Sequence, residues 1–325
     1  MNNHLEVKPP SDKQIKSVEK AIEYFKQGKM VIIVDDEGRE NEGDLALPAE
    51  DCSPEDINFM ATVARGLICT PLDGSIIDNL ELEPMVTKNT ESMGTAFTVS
   101  VDASEDIESG ISAKDRSNTV KKLSDIKSTS EDFVKPGHIF PLRYQKGGVL
   151  VRAGHTEGSV DLVKLSGKKP AAVICEVMNE DGSMARGNDL KKISEKYNIP
   201  IVSIEDIIAY RIANENLVSK IAEAKLATKY GEFTIIGFKS EVDNSEPIAL
   251  IKGNLDKNET TLVRVHSECT TGDLLNSLRC DCGDQLDLAL KKISESESGV
   301  LAVSYTHLRA HETSLHLVCR LLLEK

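Results

Sequence analysis

The sequence predicts an α/β (α+β) protein, a mixed-sheet domain followed by a smaller, β-rich unit. Two observations carry this. From residue 11 to about residue 213, apolar runs of strand length alternate with stretches of helical periodicity, a pattern of layered strands and helices rather than a sandwich or bundle. From Gly231 onward the pattern changes to short strand-like runs separated by turn residues. In order, Ser11–Lys29 reads as a helix. Ser11 and Gln14 form a capping box, Ile15, Val18, Ile22 and Phe25 share one face, and Gly28 supplies the stop. Met30–Val34 reads as a buried strand. Ser53 and Pro54 open a second helix through Ile57, Met60 and Ala64, ended by Gly66. Val149–Val151 and Ala171–Val177 read as buried strands, with a short helix over Ser159–Leu165 between them. Asn188 caps a further helix, Pro200–Ser203 is a strand, and Glu205–Ala213 is helical again. Residues 1–213 are therefore expected to form one domain. Residues 214–229, polar and rich in Ala and Lys, read as a linker or connecting helix. Residues 230–303 form the β-rich unit, with strands at Phe233–Phe238, Pro247–Ile251 and Thr261–Val265, and with a core expected to be incomplete.

Composition narrows the function. The 325 residues carry 39 basic and 53 acidic side chains, a net charge of −14, which argues against a general nucleic-acid binder. No apolar run reaches the length of a membrane span, and the N-terminal residues lack the apolar core of a secretory signal. Three of the seven cysteines crowd into Cys269–Cys282, which in a leaderless chain reads as metal ligands rather than disulfides. The expectation is an acidic cytoplasmic protein without nucleic-acid or membrane partners.

Four clusters invite chemistry. Between Asp35 and Asp51 stand eight carboxylates and a single base, Arg39. Such crowding is relieved by water in a solvated loop, or by a hard cation such as Mg2+. The run begins at a strand end, where open α/β sheets bind ligands. The segment Arg152-Ala153-Gly154-His155-Thr156 precedes a helix, and Arg and Thr beside a helix N-terminus suit a phosphate. His155 can ligate a metal or carry protons. His138 follows Pro136-Gly137, read as a turn. Glu176 closes an apolar strand, where a carboxylate is costly unless it is ion-paired, hydrogen-bonded or metal-bound. Together they describe an acidic, metal-using pocket for a small phosphorylated substrate.

The motifs DDEGRENEGDL (Asp35–Leu45), GISAKDR (Gly110–Arg116), GHIFPLR (Gly137–Arg143), RAGHTE (Arg152–Glu157) and CEVMNEDGSMAR (Cys175–Arg186) occur in this order. The chain resembles 3,4-dihydroxy-2-butanone-4-phosphate synthase over roughly residues 11–213. The resemblance implies conversion of D-ribulose 5-phosphate to 3,4-dihydroxy-2-butanone 4-phosphate and formate. It also implies Mg2+ or Mn2+, no organic cofactor, and a homodimer whose sites are shared across the interface. It implies Glu40 and His155 as metal ligands. Arg39, Glu40, Asp44, Arg152, Ala153, Gly154, His155, Thr156 and Glu176 are implied as substrate contacts, with Arg152 and Thr156 on the phosphate. His138 and Glu176 are implied as catalytic, and Asp44 or Glu37 as polarising a substrate hydroxyl. Cys69 also matches a residue near the family's site. Ser109 departs from the family's usual Thr but keeps the hydroxyl.

Cys269, Cys280 and Cys282 give C-x10-C-x-C, compatible with zinc or with structural thiols. The surrounding RVHSECTTGDLLNSLRCDCGDQL resembles the start of GTP cyclohydrolase II. That resemblance implies Zn2+ on the three cysteines, and GTP contacts from Arg264, Val265, His266, Ser267, Glu268 and Gln285. The EGRGIGL-like segment of that family does not occur in these residues. The stretch 304–325, with His307, His311, His316 and Cys319, fits no single helical stripe and reads as an unrelated tail. The second activity is therefore expected to be absent. The alternatives are a bifunctional enzyme that also hydrolyses GTP, and a non-catalytic subunit with an inert zinc module.

Overall fold

The structure, a computed structural model, describes residues 10–243, 245–255 and 260–304. They divide into two compact units, with the chain passing from the first to the second between residues 213 and 214. The first runs α1 (Asp12–Lys26), β1 (Val31–Val34), β2 (Gly43–Pro48), α2 (Pro54–Phe59), β3 (Cys69–Leu72), α3 (Gly74–Asn79), β4 (Val101–Ala103), α4 (Ala113–Ser124), β5 (Phe133–Arg143), α5 (His155–Leu165), β6 (Ala172–Glu176), α6 (Asn188–Tyr197), β7 (Ile201–Ser203) and α7 (Ile204–Asn214). Ser11 caps α1 through the Gln14 N–H, and the Gln14 side chain accepts from the Ser11 N–H in return.

The strands form a mixed seven-stranded sheet in the order β4-β5-β3-β6-β2-β1-β7. Alternation along the strands builds a core on each face. Ile32, Leu45, Leu47, Val173 and Cys175 point to one side, where α2, α3, α4 and α6 contribute Ile57, Ile77, Val120 and Leu190. Val31, Ile33, Ala46, Ala172 and Ile174 point to the other, under α1, α5 and α7. Each fully buried Ile, Leu or Phe contributes roughly 1.5–3 kcal/mol, so two such layers are ample for a domain of this size.

Four local expectations change, the first being that Asn188 is the opening residue of α6 and Gly187, at φ 40°, is its N-cap. Val149–Val151 is not a strand: Gly147 and Gly148 both take positive φ (96° and 65°) and bend the chain into a 3-10 turn over Gly148–Leu150. Pro136-Gly137 is not a turn between elements but lies within β5. The second helix ends on Arg65, itself left-handed at φ 69°, after a π turn over Met60–Ala64. Gly66 serves instead to let the chain pass Glu176.

The second unit comprises β8 (Val218–Thr228), β9 (Gly231–Ser240), β10 (Ile248–Lys252), β11 (Leu262–Ser267), α8 (Cys282–Glu295) and β12 (Gly299–Ser304), with the sheet order β11-β12-β10-β9-β8. Residues 214–229 are thus not a plain linker. Their Ala and Lys content favours helix, but a two-residue turn between Thr228 and Gly231 pairs β8 along the whole of β9. The core here is small, built on Phe233, Leu250, Ile293 and Leu301, while Leu274, Leu275 and Leu278 stand exposed. The tail expected from residue 304 lies, beyond Ser304, outside the described residues. No helix among the described residues is long and apolar enough to cross a membrane.

Candidate active site

A cavity of about 260 Å³ opens on the α1/α5/α7 face of the large sheet, beside the N-terminus of α5. The β1–β2 hairpin supplies Arg39, Glu40, Glu42 and Asp44, β3 supplies Cys69, β6 supplies Ile174 and Glu176, and Arg152, His155 and Thr156 enter from the start of α5. In register, Asp44 sits directly opposite Glu176 on adjacent antiparallel strands.

The acidic run is sorted by its hydrogen bonds. Asp35 serves the hairpin: its two oxygens accept from the Glu40 and Glu42 N–H groups (3.0 and 2.9 Å), and Arg39 Nη1 donates to it at 2.9 Å. Asp36 caps the Gly38 N–H at 2.7 Å. Glu40 faces inward, 3.5 Å from His155 Nδ1 and 2.7 Å from Arg39 Nη1. The His155 contact, opposed by burial and aided by Arg39, holds the Glu40 carboxyl below its ordinary range. Burial pushes Asp44 up; His155 opposes this, and the Glu176 and Glu40 charges add to it. For His155, burial disfavours the imidazolium, but the Asp44 and Glu40 carboxylates outweigh it and raise the ring above its ordinary value. The cluster thus carries an excess of negative charge that draws a proton.

A divalent cation fits this arrangement. Ligand atoms of Asp35, Glu40 and His155 lie within 4.8 Å of one another. Among the described residues, Asp44 Oδ1 and His155 Nε2 are buried without a hydrogen-bond partner. Carboxylate oxygens with one imidazole suit Mg2+ or Mn2+. Asp35 is consumed in folding the hairpin, while Glu40, His155 and the unpartnered Asp44 oxygen face the cavity.

The remaining expected residues divide. Glu176 Oε2 accepts from the Leu67 N–H at 2.8 Å, while a Cβ on Gly66 would lie 2.6 Å from that oxygen. Arg152 reaches the cavity but is engaged, with Nη1 on Glu157 Oε2 at 2.6 Å and Nη2 on Thr95 Oγ1 at 3.0 Å. Ala153 and Gly154 form the bend before α5, with Gly154 as its N-cap, and do not line the cavity. Cys69 lines it, but burial raises its thiol far above neutrality, so it stays protonated. His138 is not among the lining residues. It lies on β5, its side chain 42% exposed and paired with Asp102. The sequence reading missed Glu91, Thr95 and Phe97, which close one side of the cavity from a polar loop without periodicity or motif.

In the second unit, Cys269, Cys280 and Cys282 converge, with the Cys269 and Cys280 sulfurs 3.8 Å apart. Thr271 Oγ1 and the Gly272 N–H hold the Cys269 thiol below its ordinary value, at about 7. A Cβ on Gly272 would lie 2.8 Å from Cys280 Sγ, so the glycine keeps a cradle open between the thiols. Three convergent thiols of this kind fit Zn2+. Arg264 Nη2 donates to Gln285 Oε1 at 2.8 Å beside a cavity of about 280 Å³ that both residues line. Val265, His266, Ser267 and Glu268 do not line that cavity, and His266 instead contacts Asp273 at 2.8 Å.

The sequence matches the family model of 3,4-dihydroxy-2-butanone 4-phosphate synthase over residues 19–210 and that of GTP cyclohydrolase II over residues 219–318. The second match reaches into the stretch read above as a tail. The chain is 51% identical over 296 residues to the riboflavin biosynthesis protein RibBA of Endomicrobium trichonymphae, covering 91% of this chain and 73% of the relative. It is 52% identical over 284 residues to RibBA of Bacillus mycoides, covering 87% and 71%. Among solved structures, it is similar to RibBX, a two-domain 3,4-dihydroxy-2-butanone 4-phosphate synthase from A. baumannii. That match has a TM-score of 0.75 and 38% identity, covering 94% of this chain and 87% of that one. A 3,4-dihydroxy-2-butanone 4-phosphate synthase in complex with two magnesium ions matches with a TM-score of 0.59 and 39% identity, covering 61% and 97%.

Proposed function

We propose, from the premise that the chain belongs to the 3,4-dihydroxy-2-butanone 4-phosphate synthase family of riboflavin biosynthesis, that its first unit converts D-ribulose 5-phosphate to 3,4-dihydroxy-2-butanone 4-phosphate and formate in the 260 Å³ cavity. The observation that carries this is the convergence there of Glu40, Asp44, His155 and Glu176, with Asp44 Oδ1 and His155 Nε2 left unpartnered among the described residues.

Glu40 and His155 would hold Mg2+ or Mn2+, which supplies Lewis acidity toward adjacent substrate oxygens. Arg152 and Thr156, at the N-terminus of α5, bind the phosphate, and Arg39 contacts the sugar. Asp44 polarises a substrate hydroxyl, since Glu37, exposed on the hairpin, does not line the cavity. Glu176 and His138 move protons through enolisation, rearrangement and formate loss. Glu176 reaches the cavity within one chain, whereas His138 belongs to the site of a second copy, so the working form is a homodimer. Exposure of His138 outside its own chain's cavity supports that reading.

In the second unit, Cys269, Cys280 and Cys282 hold Zn2+. Arg264 and Gln285 support GTP binding. We place the division between the two activities at residues 213 and 214.

Formate release tests both, because both reactions expel it. Formate from ribulose 5-phosphate, abolished by chelator and restored by Mg2+, is expected. Formate from GTP would establish the bifunctional reading, and none from either substrate the non-catalytic one. Unchanged turnover in Asp44→Asn would remove Asp44 from the proton-handling groups.

A further inference from the structure

We propose that Asp102 is the positioning residue for His138, fixing its ring as the tautomer protonated on Nδ1 so that Nε2 is the nitrogen that exchanges protons. The inference rests on the proton-transfer role given to His138 above.

Asp102, in β4, is almost fully buried, its side chain 7% exposed. It meets His138 twice. Its Oδ1 accepts the His138 backbone N–H at 2.9 Å, and its Oδ2 lies 2.6 Å from the ring Nδ1. A carboxylate only accepts, so the Nδ1 facing it carries the hydrogen, and a neutral ring is left with a bare Nε2. The backbone bond fixes the carboxylate plane, and the ring bond then fixes the rotation of the imidazole.

The surroundings hold this contact tightly. A Cβ on Gly137 would fall 2.0 Å from the Val101 carbonyl carbon, so only glycine lets β5 approach β4 this closely. Gly110, at φ 86°, closes the other side: a Cβ there would fall 2.1 Å from Asp102 Oδ2 and 2.7 Å from His138 Nδ1. Asp115 Oδ2 holds that glycine by accepting its N–H at 3.0 Å. Two glycines at van der Waals limits around one carboxylate–imidazole contact are more than an exposed ion pair requires.

Asparagine at position 102 cannot satisfy both bonds. If its single oxygen keeps the backbone N–H, its NH2 faces Nδ1 and drives the ring proton to Nε2. The test uses the full chain, with the tautomer read by long-range 1H–15N correlation and the His138 signal assigned by its loss in His138→Ala. The wild-type ring is expected to carry its proton on Nδ1, and Asp102→Asn to move it to Nε2. Formate turnover in Asp102→Asn should fall by about 10²–10⁴-fold in kcat, the share general acid–base catalysis supplies, with KM little changed. The double variant with His138→Ala should be no slower than His138→Ala alone.

A wild-type ring protonated on Nε2 overturns the proposal, and needs no variant to fold. Full turnover in Asp102→Asn, or a further loss in the double variant, overturns it too, the latter by showing a merely structural role. Full turnover in His138→Ala would sink the proton-transfer reading itself, with the tautomer result left to show which of the two had failed.

Discussion

Arg211, at the end of α7, faces Asp161 in α5, and replacing it tests how the turn before the phosphate-binding segment is held. Asp161 is 2% exposed and Arg211 12%, with Nη1 on Oδ2 at 2.7 Å. The same carboxylate accepts from Tyr144 Oη at 2.8 Å and from the Val149 N–H at 2.9 Å, and Arg211 also donates to the Gly147 carbonyl at 2.9 Å. Arg211→Ala leaves a buried carboxylate without its cation, a change that costs about 3–5 kcal/mol. At about 1.4 kcal/mol per tenfold, amide protection in α5 and β6 should fall by roughly two to three and a half orders of magnitude. Burial already raises the Asp161 carboxyl, and Arg211 opposes the rise. Without Arg211 the folded-state value climbs further while the unfolded one stays put, so the native chain binds more protons. Stability then falls as pH rises above the ordinary carboxylate range, and the deficit shrinks toward acid. Adding Asp161→Asn removes the charge and should recover more than half of the loss. Hydrogen exchange read by mass spectrometry at several pH values gives all three numbers. A loss of less than tenfold in Arg211→Ala, or one independent of pH, would refute the reasoning.

Other outcomes follow from the same geometry. His155→Ala should weaken Mg2+ binding by about 100-fold or more, as titration calorimetry would read, since loss of an outer partner alone costs about 10–100-fold. Glu91, whose carboxyl the Met93 and Thr95 N–H groups hold at about 2, stabilises its turn above the ordinary carboxylate range. That order should be lost as pH falls through 2, so the Met93 and Thr95 amide shifts titrate there and cease to do so in Glu91→Gln. Gly66→Ala would set a Cβ 2.3 Å from the Glu176 carbonyl oxygen. It should lose formate turnover and about 1–3 kcal/mol of stability, measurable by thermal unfolding. Cys280→Ser should abolish bound zinc, counted by elemental analysis, without changing formate release from the sugar phosphate.

Local signals in the sequence were legible, because they are written in neighbouring residues. Ser11 with Gln14 announces α1, and the apolar run before Asp35 announces β1. RAGHT before a helix, and Glu176 ending an apolar run, mark groups that do meet in one cavity. What stayed hidden depends on partners far along the chain. The Asp102–His138 contact joins positions 36 residues apart, and nothing near either one signals it. Glu91 and Thr95 reach the cavity through a loop whose shape is set by its own turn and by Arg152. Residues 218–228 carry helix-favouring alanines, yet pairing with β9 overrides propensity. Among the acidic residues after β1, composition could not separate Asp35, which folds the hairpin, from Glu40, which faces the cavity.

The facing of Asp44 and Glu176 across β2 and β6 also makes the sheet a proofreader of its own chemistry. Ala46 and Ile174, two residues along each strand, lie under α5, while Leu45 and Cys175 belong to the opposite core. A slip of β6 by one residue would turn Glu176 to the side of Leu45 and Leu47, an uncompensated carboxylate in an apolar layer. A slip of two would keep the faces but part the two carboxylates. Only one alignment both buries the apolar side chains and assembles the acids. A chain that misaligns these strands is therefore unstable as well as inactive, and would not persist as a folded but silent species.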